Sequence, residues 1–259
     1  MEAISKNLIK QIRSLEQRKF RRQEGEFVAE GNKLVHDNLS AMHCHRLVAT
    51  SDWWQANSNA QRMADECYTI SPADMQRLSL MQSPQDVLAT FSIPDRQLSS
   101  DVCDTLAQSL TVALDEVQDP GNLGTIIRLC DWFGIRNIIC SPNTADCYAP
   151  KVVQATMGAI ARVKVFYTPL PDFLSQMRQR QVPVYGTFLE GDNIYASPLS
   201  PSGIIVMGNE GRGISDEVRQ TVSHKLFIPP YPADALTSES LNVGIATAIT
   251  VSEFRRRCK

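Results

Sequence analysis

"LDEVQDPGNLGTIIRLC", residues 114–130, passes from an apolar, strand-like entry through a proline-glycine turn into a helix-like exit. Asp119-Pro120-Gly121 is a turn signal, and Asn122 suits the cap of a helix that starts near Gly124. Ile126, Leu129, Cys130 and Phe133 form one apolar stripe on that helix, with Arg128 off the stripe and close to the expected amino end. A cation in the first turns of a helix opposes the helix dipole, so Arg128 calls for a reason. A solvated surface arginine is the plain alternative.

The strand-turn-helix unit repeats downstream. "LTVALDEV", "RNIICS", "RVKVFY", "VPVYGTF", "GIIVMG" and "KLFIPP" read as strands, separated for the most part by helix-like stretches such as "YAPKVVQATMGAI", "LPDFLSQMRQR" and "SDEVRQTVS". A long final helix runs from about Ser240 to Arg257. Strands this apolar predict an open, mostly parallel α/β sheet covered on both faces, with ligands bound at the carboxyl ends of the strands.

Upstream, a smaller α/β unit is expected over residues 1–95. It opens with Leu8, Ile12 and Leu15 at helical spacing, surrounded by Lys6, Lys10, Arg13, Arg18, Lys19, Arg21 and Arg22. The polar stretch "SIPDRQLSSDVCDT" lacks sustained periodicity, which places a linker at 96–108 and the larger domain at 109–259.

The 259 residues, 43% of them hydrophobic, are enough for two unequal domains with ordinary cores. A net charge of -2 excludes a generally basic nucleic-acid binder and leaves RNA to a local patch, for which the segment 6–22 is the candidate. Seven cysteines without any C-x-x-C pair argue against a disulfide framework and a structural zinc site. His43 and His45 share a strand face, but no second ligand pair of suitable spacing follows in the sequence, so no metal is expected. The first residues lack the run of a signal peptide and no stretch approaches membrane-spanning length, so a cytoplasmic protein is expected.

Two further loops carry chemistry. "MGNEGRGIS", residues 207–215, lies between a strand and a helix; its G-x-x-G-x-G order is neither a dinucleotide fingerprint nor a P-loop. Glu210 within it is either an ordinary exposed glutamate or a carboxylate that holds an arginine or a substrate hydroxyl. "IPPYPADALTSESLNVGIATA", residues 228–248, leads into the last helix, with Ser240 or a neighbour as cap and Asn242 in the first turn. A nucleophilic Ser240 is disfavoured, because no G-x-S-x-G elbow or histidine partner accompanies it.

In this order, "DPGNLGTIIRLCDWFG", "IIVMGNEGRGIS" and "IPPYPADALTSESLNVGIATAITVSE" resemble the three motifs of the SpoU (TrmH-like) RNA ribose 2'-O-methyltransferases of the SPOUT superfamily. "IKQIRSLEQRKFRRQEGEFVAEGNKLV" and "SPQDVLATF" resemble that family's small substrate-binding domain. The resemblance implies a carboxyl-terminal trefoil knot that holds S-adenosylmethionine, a homodimer, and transfer of a methyl group to a ribose 2'-hydroxyl in rRNA or tRNA. Carried over by position, Asn122, Arg128, Glu210, Ser240 and Asn242 are the implied catalytic and substrate-side residues. Thr187, Phe188, Leu189, Met207, Gly208, Asn209, Gly211, Ile228, Pro230 and Leu241 are implied at the cofactor. Two departures stand out: the loop before "SLNV" is longer than the family's usual "IPM-x-G" link, and Gly244 replaces the common Ser or Ala. The rival readings are a non-catalytic RNA-binding protein on this scaffold and a nucleotide-dependent oxidoreductase, the latter opposed by the missing G-x-G-x-x-G.

Overall fold

The computed structural model describes residues 2–232 and 238–257. Its contacts divide the chain into two units, one of residues 1–95 with 146–162, the other of 96–145 with 163–259.

The first unit is built on a five-stranded mixed sheet: β1 (Glu2–Ala3), β2 (Glu26–Glu30), β3 (Cys44–Ala49), β4 (Ala64–Thr69) and β5 (Val87–Ser92), in the order β1-β4-β3-β5-β2. β1 and β3 run parallel to β4, whereas β5 is antiparallel to both β3 and β2. Ile12 and Leu15 from the first helical segment pack with Val28, Val48, Met75, Leu78 and Leu88. All five residues of β2 are buried, including two glutamates. Glu26 is paired with Arg46 at 2.9 Å, and Glu30 accepts hydrogen bonds from the Ser79 hydroxyl (2.6 Å) and the Leu80 and Gln85 amides. Both carboxylates are thus satisfied, which a buried charge requires. The helix Pro150–Ala155, with Val152 and Val153 buried, packs against β2.

The second unit carries a seven-stranded, wholly parallel sheet: β6 (Leu110–Leu114), β7 (Asn137–Cys140), β8 (Lys164–Tyr167), β9 (Val184–Phe188), β10 (Asp192–Asn193), β11 (Gly203–Met207) and β12 (His224–Phe227). The order is β10-β12-β9-β11-β6-β7-β8. From β6 the chain builds outward through β7 and β8, then returns to lay β9 and β11 on the other side. The loops after β6 and β11 therefore part in opposite directions at neighbouring strand ends, the crevice where open α/β sheets bind ligands.

Several expectations are corrected. The stretch read as a linker contains the helix Ser100–Ala107, capped by Ser99 and burying Cys103 and Leu106 in the core of the second unit. Val102, Cys103, Leu106 and Ala107 fall at helical spacing behind the Ser99 cap, but they span barely two turns within a polar, proline-containing stretch, too short a run to stand out. The final helix spans Val243–Arg257, later than expected. Near its end the buried Glu253 accepts from Arg256 (2.8 Å) and Arg257 (2.7 Å), and Arg257 also donates to the carbonyls of Ile194 and Tyr195. The Arg256 hydrogen bond, helped by Arg257 and opposed by burial, lowers the Glu253 carboxyl to about 2. Cys44, Cys67, Cys103 and Cys130 are free thiols, and burial pushes Cys44 up to about 12 and Cys130 further still, as suits inert core thiols. No helix among the described residues is long and apolar enough to cross a membrane.

Candidate active site

The loop after β6 begins a helix earlier than its sequence suggests. Pro120 is the first helical residue and Asp119 is the cap, its carboxylate accepting the Asn122 amide at 2.8 Å. Asn122, read as the cap, is thereby free to use its side chain elsewhere. Arg128 falls in the third turn of the helix Pro120–Trp132, so the argument from an unfavourable dipole does not apply. It is exposed and has no hydrogen bond or ion pair among the described residues.

The loop after β11 is folded on itself. Asn209 and Gly213 exchange backbone hydrogen bonds at 2.9 and 2.8 Å, and the Asn209 side-chain oxygen accepts from the amides of Gly211 and Arg212. Gly208 admits no side chain, because a Cβ there would lie 2.3 Å from the Gly213 carbonyl carbon and 2.4 Å from the Ile214 nitrogen. The loop is also tied to the end of β6. Buried Asp115 accepts the Ser215 amide at 2.7 Å, and Glu116 pairs with Arg212 at 2.6 Å while its carbonyl accepts Asn209 Nδ2 at 2.8 Å. Asn143 donates to the same Glu116 carboxylate at 2.9 Å. Asn209, a cofactor candidate, thus spends its side chain on shaping the loop.

Pinned in this way, the loop presents Glu210 to Asn122, whose Nδ2 donates to Glu210 Oε1. A carboxylate only accepts, so it fixes which way the amide points. The Asn122 oxygen then accepts Asn242 Nδ2 at 3.0 Å. Asn242 in turn caps the final helix, accepting the amides of Gly244 (2.9 Å) and Ile245 (3.3 Å). The cap is therefore Asn242 and not Ser240, whose hydroxyl has no partner among the described residues and whose carbonyl accepts the Ser238 hydroxyl. One line of side chains, Glu210–Asn122–Asn242, joins the three loops.

The implied cofactor residues stand at the carboxyl ends of β9, β11 and β12, which are neighbours in the sheet. Thr187 donates to the Val206 carbonyl at 3.2 Å, and the Phe188 ring lies beneath Arg219 at 4.9 Å and Lys225 at 5.6 Å. Met207 is buried, while Leu189 and Leu241 are 69% and 46% exposed. Ile228 and Pro230 are half-buried, and residues 233–237 of the same loop lie outside the described residues. The exposed apolar side chains of Leu189 and Leu241 suit contact with the aromatic base of a ligand.

The basic segment resolves into two classes. Lys6, Lys10, Lys19 and Arg22 are exposed, and Arg18 lies 3.9 Å from Asp146. Arg13 donates to the carbonyls of Arg77 and Ser79. Arg21 is buried at 3% exposure, with its guanidinium on the carbonyls of Leu15 and Glu16 and on Asp146 at 2.7 Å. It is a structural residue and is unavailable to a phosphate, a correction that helical periodicity alone did not supply.

The sequence does not single out Asp115, Glu116, Asn143 and Arg212, and it marks Asp119 only as part of a turn. Asp119-Pro120 is a recognisable cap-and-first-residue pair, whereas no local signal predicts that Arg212 reaches Glu116 across 96 positions.

The profile of the SpoU rRNA methylase family matches residues 109–252, and that of the MRM3-like substrate-binding domain matches residues 6–89. The chain is 28% identical over 256 residues to the 23S rRNA (guanosine(2553)-2'-O)-methyltransferase of Bacillus subtilis, covering 98% of both chains. Among solved structures, it is similar to a Porphyromonas gingivalis protein assigned to the TrmH family of RNA methyltransferases, with 43% identity, 98% and 99% coverage and a TM-score of 0.88. An rRNA methyltransferase from Sinorhizobium meliloti with bound AdoMet follows at 30% identity, 100% and 98% coverage and a TM-score of 0.85.

Proposed function

The chain belongs to the SpoU rRNA methylase family, and on that premise we propose that its substrate is large-subunit ribosomal RNA, methylated at one ribose by the residues at the meeting of the three loops. It is an S-adenosylmethionine-dependent RNA ribose 2'-O-methyltransferase. The catalytic reading is favoured over an RNA-binding scaffold without turnover.

S-adenosylmethionine, when bound, supplies the methyl group. The protein's part is to hold the 2'-oxygen in line and to stabilise the negative charge it gains as its proton leaves. In this proposal Arg128 grips the phosphate beside the target ribose; a guanidinium keeps its proton at physiological pH, so its role is orientation and charge stabilisation. Glu210, Asn122 and Asn242 fix the amides and the carboxylate that meet the ribose, and Ser240 offers its hydroxyl. Gly208, Ile228 and Leu241 hold the adenosine through backbone and apolar contact, with Thr187 to Leu189, Met207, Asn209, Gly211 and Pro230 completing the pocket. Lys6, Lys10, Lys19 and Arg22 contact RNA phosphates. A second copy of the chain completes the site, consistent with Arg128, which has no partner among the described residues, and with Trp132 and Ile245, which are 84% and 53% exposed. The trefoil threading and a cytoplasmic location belong to the same proposal.

The observation that carries the proposed roles is the Glu210–Asn122–Asn242 line, since it draws one residue from each motif into one place. The test is transfer of labelled methyl from S-adenosylmethionine to total rRNA and, separately, total tRNA. Label confined to 23S rRNA and resistant to alkali at a single dinucleotide is expected; label only in tRNA would overturn the substrate assignment.

A further inference from the structure

Outside this site, the first unit gathers three ligand-type side chains at the edge of its sheet. His43 and His45 lie either side of the buried Cys44 at the start of β3, and Asp65 lies on the parallel neighbour β4, where Cys44 pairs with Ala64 and Arg46 with Glu66. The pairing of β3 with β5 shifts between Cys44 and Arg46, so His45 sits at an irregularity of the kind that re-aims a side chain. The His43 Nε2 atom is 2.9 Å from Asp65 Oδ2, and His45 Nδ1 is 3.4 Å from the same oxygen. The three ligand atoms all lie within 4.8 Å of one another.

We propose that His43, His45 and Asp65 form a binding site for a zinc-class divalent transition-metal ion. Three observations carry it. First, two imidazole nitrogens converge on one carboxylate oxygen: the His45 spacing of 3.4 Å matches the value of about 3.3–3.5 Å that separates ligands on a tetrahedral zinc with its usual bond lengths, and the His43 spacing of 2.9 Å is a hydrogen bond that has only to lengthen by about 0.5 Å to admit the ion. Second, the remote nitrogen of His45, Nε2, is already engaged by Ser92 Oγ at 2.8 Å. If that nitrogen donates to the hydroxyl, Nδ1 keeps its lone pair for a metal, the outer-shell arrangement typical of ligating histidines. Third, the side chains of His43 and Asp65 are 56% and 52% exposed, leaving room for water to complete the coordination. Two neutral imidazoles and one carboxylate form a donor set for a borderline ion rather than for magnesium or calcium. The sequence reading missed the site because Asp65 is 20 residues from His45 and reaches it only through strand pairing.

The test is titration of the untagged 259-residue chain with zinc sulfate, read by calorimetry and by thermal unfolding, beside His43→Gln and Asp65→Asn. Expected is one zinc per chain with a rise in Tm, the affinity falling at least tenfold in each variant. A thermal unfolding transition without zinc that matches the parent's in both variants confirms that the first unit is folded. No zinc binding by the parent, or the same affinity and stoichiometry in both variants, overturns the proposal; sites built from thiols elsewhere would survive these substitutions.

Discussion

Asn242 donates its side-chain amide to Asn122 Oδ1 at 3.0 Å across 120 residues of sequence, while its own oxygen caps the last helix. A residue that both starts a helix and orients its neighbour couples the position of that helix to the geometry of the site. Asn122, held from the other side by Glu210, has no freedom to turn over.

Asn122→Asp replaces the donor facing Glu210 with a second carboxylate. The like charges push the loop after β11 away from the helix, and methyl transfer is expected to fall about a hundredfold in kcat from misplacement alone. Steady-state kinetics on rRNA reads this; a change within about twofold would mean that the line of side chains does not orient the substrate.

Arg128→Lys separates function from folding. With no partner among the described residues, the arginine contributes little to stability, and the variant is expected to unfold within about 0.5 kcal/mol of the parent. A point charge cannot reproduce a two-pronged grip on phosphate, so single-turnover transfer should drop by about a hundredfold or more. Equal loss of stability and activity would reassign Arg128 to the fold.

Gly208→Ala and Gly211→Ala make an internal control. A Cβ at 208 meets backbone at 2.3 Å, whereas at 211 the nearest atom is Asn209 Oδ1 at 3.7 Å. Calorimetry with S-adenosylmethionine should show at least about a tenfold weaker affinity for the first, the equivalent of one overpacked contact, and little change for the second.

Arg21→Ala and Lys10→Ala should diverge although both remove a cation from the same segment. Losing Arg21 strands two carbonyls and leaves Asp146 with the more distant Arg18 as its remaining cation, at a cost of about 3 kcal/mol in urea unfolding. Losing Lys10 leaves stability in place but weakens RNA binding, with the slope of log K against log salt reduced by about 0.7–0.9. If Arg21→Ala is as stable as the parent, its burial has been misread.

Glu253→Gln tests the arginine clamp through pH. A carboxyl lowered from 4.5 to about 2 favours the folded state in its ionised form, so its contribution is complete above about pH 4.5 and is lost as pH falls toward 2. The Tm of the variant should lie below that of the parent at neutral pH, with the gap closing across that window. A gap that does not depend on pH would remove charge from the explanation.

Much of the second unit was legible because parallel strands buried on both faces leave continuous apolar runs, and "GIIVMG" and "LTVAL" can hardly be read otherwise. The three loops were legible as places where chemistry concentrates, and Glu210, Asn122 and Asn242 do meet there. What stayed hidden depends mostly on long-range contact, the cap of the first-loop helix being a local exception. Asp119 competes with Asn122 for the cap, and only the observed start at Pro120 decides between them. Arg21 and Lys19 look alike in sequence, and burial separates them only once Asp146 arrives from 125 residues away. The helix Ser100–Ala107 was lost because it buries two residues against a core assembled later in the chain.

The helix Pro150–Ala155 belongs to the unit that begins at the amino terminus, yet it is encoded after β6 and β7 of the other unit. During synthesis, β2 and its neighbours must wait with an uncovered apolar face until residue 162 has left the ribosome, by which time the first strands of the second sheet are already outside. Neither unit can be completed before the other has begun, so the two are bound together in the timing of folding. A fragment cut at residue 95 would be an unfinished body rather than a module.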